Sequence, residues 1–371
     1  MALLRELIQP AQLERCGDRS FPVLSMTMHD GIMLQSDRFK KSLASVDQSA
    51  YKVVRRNQLV VGFPIDEGVL YIQQVVDAGI MSPAYDVWNV DETKVDLRYF
   101  ELCLHSPQSM MFYKTNLRGT TARRRSLPKE TLLSLPVPVP SMERQREMAS
   151  TIDRLQAFIR LRQHQLCALD QLIKARFVEM FGECQDIVQL SDVAEVTGGL
   201  TKNGNRDRLP LKLPYLRVAN VSFASIDTTE MLSIGLTEEE RSKTTLQYGD
   251  LLFVEGNGSP DQIGRVAIWH DEVVPCVHQN HIIKARLNES KMLPAFAMHY
   301  YMSQKGRDQI KKKAVSTSGL YTLSVSKISG FVMPCPPLDR QIEFAALVAQ
   351  VDKSKVVEFS VFTKRAKSYI I

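Results

Sequence analysis

The stretch PVPVPSMERQRE at residues 136–147 recurs as VMPCPPLDRQIE at residues 332–343. Prolines, an Arg-Gln dipeptide and a glutamate follow in the same order in both copies, at a constant spacing of 196 positions. The same spacing aligns three upstream pairs, which are Leu97 with Leu293, Phe100 with Phe296 and Gln108 with Gln304. A register held over about fifty residues predicts an internal repeat, with two units of one kind.

Each copy predicts a strand that ends and a long helix that begins. Proline cannot donate to a sheet ladder or continue a helix, so Pro138-Val-Pro140 and Pro334-Cys-Pro336 close a strand-like segment. Ser141 and Pro337 follow, each with an acidic residue shortly after it, and this order suits a helix N-terminus. The expected plan is domain, helix, domain, helix.

The helix after the first copy carries a seven-residue apolar repeat. Its members are Ile152, Ile159, Leu166, Ile173 and Met180. This period is typical of a coiled-coil seam, and a helix from Ser141 to Phe181 is about 60 Å long at 1.5 Å per residue. The helix after the second copy has apolar residues in a similar phase, namely Val348, Val351, Phe362 and Tyr369. Two seams of similar length favour pairing of the helices with each other, and we expect the pair to be antiparallel.

The remaining segments predict two α+β domains. In the second, the strand-like runs begin at Leu251, Arg265 and His281, and one helix is expected over Ala295–Ile310. The N-terminal decapeptide MALLRELIQP is expected to form a short amphipathic helix. The predicted boundaries are 1–140 for the first domain, 141–183 for the first helix, 184–337 for the second domain and 338–371 for the second helix.

Composition narrows the class of protein. Six scattered cysteines without a C-x-x-C pair predict a reducing, cytoplasmic environment. There is no run of 18 apolar residues, and Arg5 and Glu6 interrupt the apolar N-terminus, so neither a membrane span nor a secretory signal is expected. The net charge of +6 is modest, but basic residues cluster within 118–129 and 305–313. Such clusters can bind phosphate, although a solvated surface explains each one equally well.

With these repeats the chain resembles the HsdS family, the specificity (S) subunits of type I restriction-modification systems. The resemblance is carried by the repeated element at 138–145 and 334–341 and by the approach to each, Gly119…Leu127 and Ser318-Gly-Leu-Tyr-Thr-Leu. The run VQLSDVAEVTGG from Val188 resembles the opening of a target-recognition domain, and YGDLL from Tyr248 resembles its central strand. The first domain departs from this pattern: it lacks the LSDVAE opening and has Arg56-Asn57 where the second has Gly249-Asp250.

The resemblance implies an α+β fold in which two similar mixed α/β target-recognition domains are separated by two long helices paired as an antiparallel coiled coil. Each domain would read one half of a bipartite DNA site, and the helices would set the spacer between the halves. The implied partners are double-stranded DNA, two adenine-N6 methyltransferase (M) subunits and the ATP-dependent motor/endonuclease (R) subunit, in a prokaryotic cytoplasm. No cofactor, metal or catalytic residue is implied for this chain.

Candidate site residues follow from residue type. Arginine and lysine contact phosphate, while arginine, asparagine and glutamine also read base edges. The candidate DNA-binding residues are Arg118, Arg123, Arg124, Arg125, Lys202, Asn203, Arg206, Arg208, Asn257, Gln262, Lys311, Lys312 and Lys313. The candidate subunit-interface residues are Arg144, Gln145, Ile152, Ile159, Leu166, Ile173, Arg340, Gln341, Val348 and Val351.

Two other functions remain open at this point. Pro260-Asp261 with Glu289-Ser-Lys291 forms a loose P-D…E-x-K pattern, which is the pattern of a metal-dependent nuclease. A scaffold whose helices bind protein, without any reading of DNA sequence, is the other alternative. The histidines His278 and His281 lack a neighbouring Cys, Asp or Glu, so a metal site there is not expected.

Overall fold

The computed structural model describes residues 1–28, 30–38, 47–117, 127–317 and 319–369, and for residues 38, 317 and 356–369 it describes the backbone alone. The chain divides into two compact units, Met1–Leu161 (the first unit) and Arg162–Ile371 (the second unit). Among the helices of the described residues, none combines the length and the apolar character needed to cross a membrane. The arginine cluster at 118–125 lies outside the described residues.

The first unit contains short strands, a helical hairpin and the first half of a long helix. Its strands are β1 Ala2–Leu3, β2 Ile8–Pro10, β3 Leu24–Thr27, β4 Gly31–Leu34, β5 Lys52–Arg55, β6 Leu59–Val61, β7 Leu70–Ile72, β8 Ala78–Met81, β9 Asp86–Val90 and β10 Pro136–Val137. Its helices are α1 Gln35–Arg38, α2 Leu97–Leu104, α3 Pro107–Asn116, α4 Lys129–Leu133 and α5 Met142–Phe181, the last of which continues into the second unit.

The second unit repeats this order of elements with more strands. They are β11 Ile187–Gln189, β12 Ala194–Gly198, β13 Leu211–Leu216, β14 Val221–Ser222, β15 Ser225–Ile226, β16 Leu232–Leu236, β17 Leu251–Val254, β18 Gly256–Asn257, β19 Val266–Ile268, β20 Val277–His278, β21 Ile282–Leu287, β22 Val315–Thr317, β23 Leu320–Thr322 and β24 Val332–Pro334. The helices are α6 Leu190–Val193, α7 Glu238–Thr244, α8 Pro294–Met302, α9 Gln304–Lys313, α10 Val325–Ser329 and α11 Leu338–Tyr369.

Both units are built on a four-stranded antiparallel sheet of the same topology. The order is β2-β9-β6-β7 in the first unit and β12-β21-β17-β19 in the second. The inward residues are apolar and fully buried, as for Leu59 in β6 and Leu251 in β17. A helical hairpin follows each sheet, and Phe100 in α2 and Phe296 in α8 pack into the two cores. The predicted α+β class with two similar domains is therefore confirmed.

The helical hairpin corrects two sequence expectations. The single helix expected over Ala295–Ile310 is two helices, because the Ser303 hydroxyl caps the N-terminus of α9 by accepting from the Gly306 amide at 3.3 Å. Ser106 caps α3 in the same way, through the Ser109 amide at 3.2 Å. Capping hydroxyls mark equivalent positions, so within the hairpin the two units are offset by one residue from the register read in the sequence.

The chain opening corrects a third expectation. Residues 1–10 form β1, a 3-10 turn at Leu4–Glu6 and β2 rather than an amphipathic helix. The Leu3 amide donates to the Glu6 carboxylate at 2.8 Å, and the Leu4 amide donates to the carbonyl of Leu135 at 2.9 Å. The second unit makes the same two bonds, listed by donor and acceptor as Gln189 to Asp192 and Leu190 to Phe331. The first domain therefore begins with the same hydrogen bonds as the second, although its sequence lacks LSDVAE.

The backbone conformation also shows which residues of the two units are equivalent just before the central strands β6 and β17. Asn57 and Gly249 both have positive φ, 69° and 87°, and their amides donate to Gln73 and Trp269 carbonyls. Asparagine and glycine are the residues that adopt this conformation at least cost. The counterpart of Gly249-Asp250 is therefore Asn57-Gln58, one residue later than the sequence comparison placed it.

Within the second unit, the end of α5 packs against the beginning of α11. The rings of Phe177 and Phe344 are 5.3 Å apart, and Lys355 forms an ion pair with Asp170 at 2.8 Å. An earlier residue of α5 thus contacts a later residue of α11, so the two helices run antiparallel, as predicted. The side chains of Phe362 and Tyr369, which were expected to extend this seam, lie outside the described side chains.

Candidate nucleic-acid interface and helix joints

The polar loop TKNGNRDR of the second unit presents three of the candidate DNA contacts to solvent. Lys202, Asn203 and Arg208 are exposed, and they lie in or beside a 3-10 helix at Gly204–Arg208. The Asn203 side chain caps this helix by accepting from the Asn205 amide at 3.1 Å. Its amide nitrogen remains available as a donor, and no partner of the two cations is found in the described part of the chain.

Arg206 has a different role from its neighbours. Its guanidinium forms a bidentate ion pair with Glu240 of α7, at 2.8 and 3.1 Å, and also donates to the Gly235 carbonyl at 3.0 Å. This contact lowers the pKa of the Glu240 carboxyl, so the pair stays charged. Because the side chain is only 11% exposed and its donors are engaged, the structure places Arg206 as a support of the loop rather than as a free DNA contact.

Asn257 and Gln262 lie in and after strand β18, which pairs with the hairpin β22–β23. Asn257 is half-buried and accepts from the Ser259 amide at 2.9 Å through its side-chain oxygen. Gln262 is exposed on the turn that follows. The amide groups of both residues therefore lie near one surface turn, where they have donors to offer.

The three lysines at the end of α9 do not form a single cationic patch. Lys311 forms an ion pair with Asp261 at 2.6 Å, and Lys313 donates to the Gly330 carbonyl. Only Lys312 is exposed without a partner in the described residues. All three lie at a helix C-terminus, where positive charge interacts favourably with the helix dipole, so a structural contribution accounts for much of the cluster.

The residues of the nuclease alternative do not assemble a metal site. Asp261 is bound to Lys311, which lowers the pKa of the carboxyl. Glu289 lies instead beside Gly249, just before the central strand β17. A Cβ added to Gly249 would be 3.0 Å from the Glu289 carboxylate. In the described ranges no group of three or more His, Cys, Asp and Glu side chains could hold a metal ion. The nuclease alternative has no support.

The two histidines of VHQNH also differ in environment. His278 is buried, with its Nδ1 at 2.8 Å from the Ile282 carbonyl oxygen. Burial lowers the pKa of its ring to about 4, so the imidazole is neutral near pH 7. His281 is exposed and lies 2.9 Å from the Glu255 carboxylate. They therefore make separate local contacts.

The glutamine of each repeated Arg-Gln element lies at a joint between a long helix and its own domain. Gln145 and Gln341 are both fully buried. Their side-chain oxygens accept from the backbone amides of Asp96 and Leu293, each at 2.9 Å. Since these side chains are enclosed by the chain itself, the expectation that they contact a partner subunit is not met in this structure.

The other candidate interface residues separate into exposed and buried groups. Arg144 and Arg340 are exposed and pair with Glu147 and Glu343 one helical turn later. The exposed apolar members are Ile159 and Leu166, at 41% and 37%, while Ile152 is half-buried. The buried members are Ile173, Val348 and Val351, which belong to the core of the second unit. Only the exposed group is available to another protein.

An ion pair at the N-terminal end of the central strand β17 distinguishes the two units, because its carboxylate is buried. Asp250 receives two hydrogen bonds from Arg286, at 2.8 and 2.7 Å, and its side chain is 1% exposed. At the equivalent place in the first unit, Gln58 donates to Asn89 at 2.8 Å. Sequence reasoning missed both pairs. The signal available for the second was the Gly-Asp dipeptide at 249–250, since a strand that begins with a buried acid needs a cation nearby.

Comparison with known proteins identifies the kind of domain. Residues 184–357 match the family model of the type I restriction modification DNA specificity domain. The chain is 28% identical to the EcoKI specificity subunit of Escherichia coli K12 over 166 residues, which cover 43% of this chain and 34% of that relative. It is 24% identical to the StySPI specificity subunit of Salmonella potsdam over 238 residues, which cover 58% of this chain and 50% of that relative. The chain thus matches half or less of the length of its curated relatives.

A solved structure extends the likeness of fold to both units. The S subunit of a type I restriction-modification system from M. genitalium superposes with a TM-score of 0.53, covering 99% of this chain and 93% of that one. The sequence identity is 14%, so this likeness concerns the fold alone. The family model at 184–357 and the curated relatives agree in what this chain resembles: its second unit contains a type I restriction modification DNA specificity domain, and the chain is similar to type I specificity (S, HsdS) subunits.

Proposed function

We propose that this chain reads DNA sequence for a type I restriction-modification complex and has no catalytic centre of its own. The observation that carries the proposal is the specificity domain at 184–357 together with its structural counterpart in the first unit. Two domains of one topology support the reading of a bipartite site, with one half-site for each domain. Methylation and cleavage then belong to partner subunits, in the cytoplasm of a prokaryote.

The proposed DNA surface of the second unit consists of side chains that keep free donors. Lys202, Arg208 and Lys312 supply positive charge, which binds phosphate without regard to sequence. Asn203, Asn257 and Gln262 supply amides, which can pair with base edges in the major groove. In the first unit the proposal retains Arg118, Arg123, Arg124 and Arg125 on the strength of their residue type.

The proposed protein partners are two adenine-N6 methyltransferase subunits and the ATP-dependent motor/endonuclease subunit. The long helices are the proposed docking surface for the methyltransferases, since the apolar side chains of Ile159 and Leu166 remain exposed on α5. Arg144 and Arg340 flank the two helix starts and are exposed as well. The partners would supply the S-adenosylmethionine and ATP chemistry.

Co-expression with an adenine methyltransferase tests this function. Native mass spectrometry should detect two methyltransferases per chain, and sequencing of methylated adenines should reveal a bipartite motif that is absent when the methyltransferase is expressed alone. A chain that remains a lone monomer, or a complex that binds random and cognate duplexes equally, would instead favour the scaffold alternative.

A further inference from the structure

We propose that Gln145 and Gln341 are positioning residues, each of which fixes a long helix to its own recognition domain so that the spacer between half-sites has one length. This inference rests on the proposed reading of DNA. It concerns the joints between helix and domain, where the two glutamine side chains are enclosed by the chain itself. Each glutamine makes three hydrogen bonds with the backbone.

At the first joint, Gln145 connects three separate points of the backbone. Its oxygen accepts from the amide of Asp96 at 2.9 Å, and its nitrogen donates to the carbonyls of Lys94 and Pro140, both at 2.9 Å. Asp96 is the N-cap residue of α2, where its carboxylate accepts from the Tyr99 amide at 3.0 Å. The side chain therefore joins the start of α5 to the loop before α2 and to the N-terminus of α2.

At the second joint, Gln341 makes the same three bonds. Its oxygen accepts from the amide of Leu293 at 2.9 Å, and its nitrogen donates to the carbonyls of Lys291 and Pro336 at 3.1 and 2.8 Å. Leu293 is the N-cap residue of α8, the counterpart of α2. The pattern is thus repeated although the residues around it differ.

The chemistry of the contact explains why a glutamine is needed. The side chain offers one acceptor oxygen and two amide protons, which is the set that one backbone amide and two carbonyls require. Glutamate of the same shape would direct an oxygen at the two carbonyls. Because every partner is a backbone group, the joint does not depend on the side chains that a recognition domain uses to read DNA.

Burial makes the joint rigid. Both glutamines are fully buried, and opening either joint would separate a buried side-chain amide from its three backbone partners. A helix fixed in this way moves with its domain as one body. The distance between half-sites then follows from the helices, whereas a loose joint would let a domain settle on sites of several spacings.

Methylation by the full complex with Gln341→Met tests the proposal. The matched control is Gln350→Met, the same substitution at an exposed glutamine of the same helix. Under the proposal, the Gln341 variant keeps both half-site words but also methylates sites whose gap is one base pair shorter or longer, while the control keeps a single gap. A Gln341 variant with a single unchanged gap, whatever its melting temperature, would overturn the proposal.

Gln145→Met, with the exposed Gln163→Met as its control, repeats the test at the other joint. Should these variants fail to fold, hydrogen exchange of the wild-type complex decides the question. The amides of Asp96 and Leu293 should exchange as slowly as those of the central strands β6 and β17, since all open together. Exchange at either amide well before the central strands would contradict a rigid joint. The exchange result is independent of DNA reading, whereas failure of the proposed function would remove bipartite methylation from the wild type as well.

Discussion

The ion pair of Asp250 and Arg286 is predicted to stabilise the second unit. We consider Asp250→Asn, which removes the charge of a side chain that is 1% exposed but keeps an acceptor for the Gln247 amide. Arg286 would then be left beside a neutral amide, in a place where it is 30% exposed. Loss of one partner leaves the other charge without compensation, so the second unit should be destabilised.

The magnitude follows from burial. Breaking a fully buried ion pair costs about 3–5 kcal/mol. Arg286 reaches solvent in part and keeps its bond to the Thr245 carbonyl at 3.1 Å, so we expect about 2–4 kcal/mol for Asp250→Asn. The exposed pair of Lys243 and Glu239 serves as the control, and Glu239→Gln should change nothing measurable, because both side chains are more than two thirds exposed.

The first unit supplies the compensating double variant. Asp250→Gln with Arg286→Asn copies the Gln58–Asn89 pair, which makes its hydrogen bond without burying a charge. We expect the double variant to recover at least half of the stability lost in Asp250→Asn. A neutral pair that restores stability would show that hydrogen bonding at this place matters more than charge.

Urea unfolding gives the measurement. The chain has two tryptophans, and in a Trp88→Phe background the fluorescence of Trp269 reports on the second unit alone. The Trp269 amide donates to the Asp250 carbonyl at 2.9 Å, so the reporter lies at the site of the change. A loss below about 0.5 kcal/mol for Asp250→Asn, or a double variant less stable than the single one, would refute the reasoning.

Three further predictions follow from the second unit and the long helix. His278 has a pKa of about 4 in the folded protein, below its unfolded value, so its contribution to the free energy of unfolding is fully present above about pH 6.5. That contribution is lost as the pH falls from 6.5 to 4, because the unfolded state then binds the proton first. The loss is on the order of 3 kcal/mol. The free energy of unfolding, measured with urea at several pH values, should therefore fall less over this range for His278→Gln than for the wild type, by about that amount. An equal fall in both proteins would exclude this histidine as the cause. For DNA binding, Lys202→Ala should lower the slope of log affinity against log salt by about one. Arg206→Met should leave that slope unchanged while weakening discrimination at the second half-site. DNA titrations at several salt concentrations provide the measurement, and a lower slope for Arg206→Met would contradict the assignment of Arg206 as a support of the loop. Seven residues inserted after Leu169 lengthen α5 by about 10 Å and keep the apolar phase, so the unread gap should grow by up to about three base pairs; sequencing of methylated adenines that finds the original gap in an active variant would exclude the helix as the ruler.

The architecture was largely predictable because it is periodic and duplicated. The apolar repeat from Ile152 to Met180 predicted a helix that the structure has as α5, Met142–Phe181. The strand runs at Leu251, Arg265 and His281 are β17, β19 and β21, since short apolar runs between turn residues favour strands. Duplication helped further, because a pattern found twice is stronger than either copy.

The failures have local physical causes. Leu4 and Leu7 have the spacing of a helix, yet the pairing of β1 with β10 and of β2 with β9 decided the outcome. The register near the helical hairpin followed apparent identities such as Leu97 with Leu293, whereas the caps at Ser106 and Ser303 show the true equivalence. In both cases tertiary contacts overrode a pattern that was ambiguous on its own.

The candidate site was less predictable than the fold. Residue type does not indicate whether a charged group is already committed, and the partner of Arg206 is Glu240, which is 34 positions away in the chain. Gln145 and Gln341 were recognised as a repeated element, but their burial depends on backbone groups about 50 positions away. Long-range partners of this kind leave no local signal in one sequence.

The proposal that each unit reads its own half of a DNA site can be tested most directly by exchange of one domain. Residues 188–330 would be replaced by the matching stretch of a relative with a different recognition sequence, and the adenines methylated by the complex would be sequenced. The account predicts that one half of the methylated motif changes to that of the relative, while the other half and the gap stay the same. A motif in which both halves change, or neither does, would contradict it.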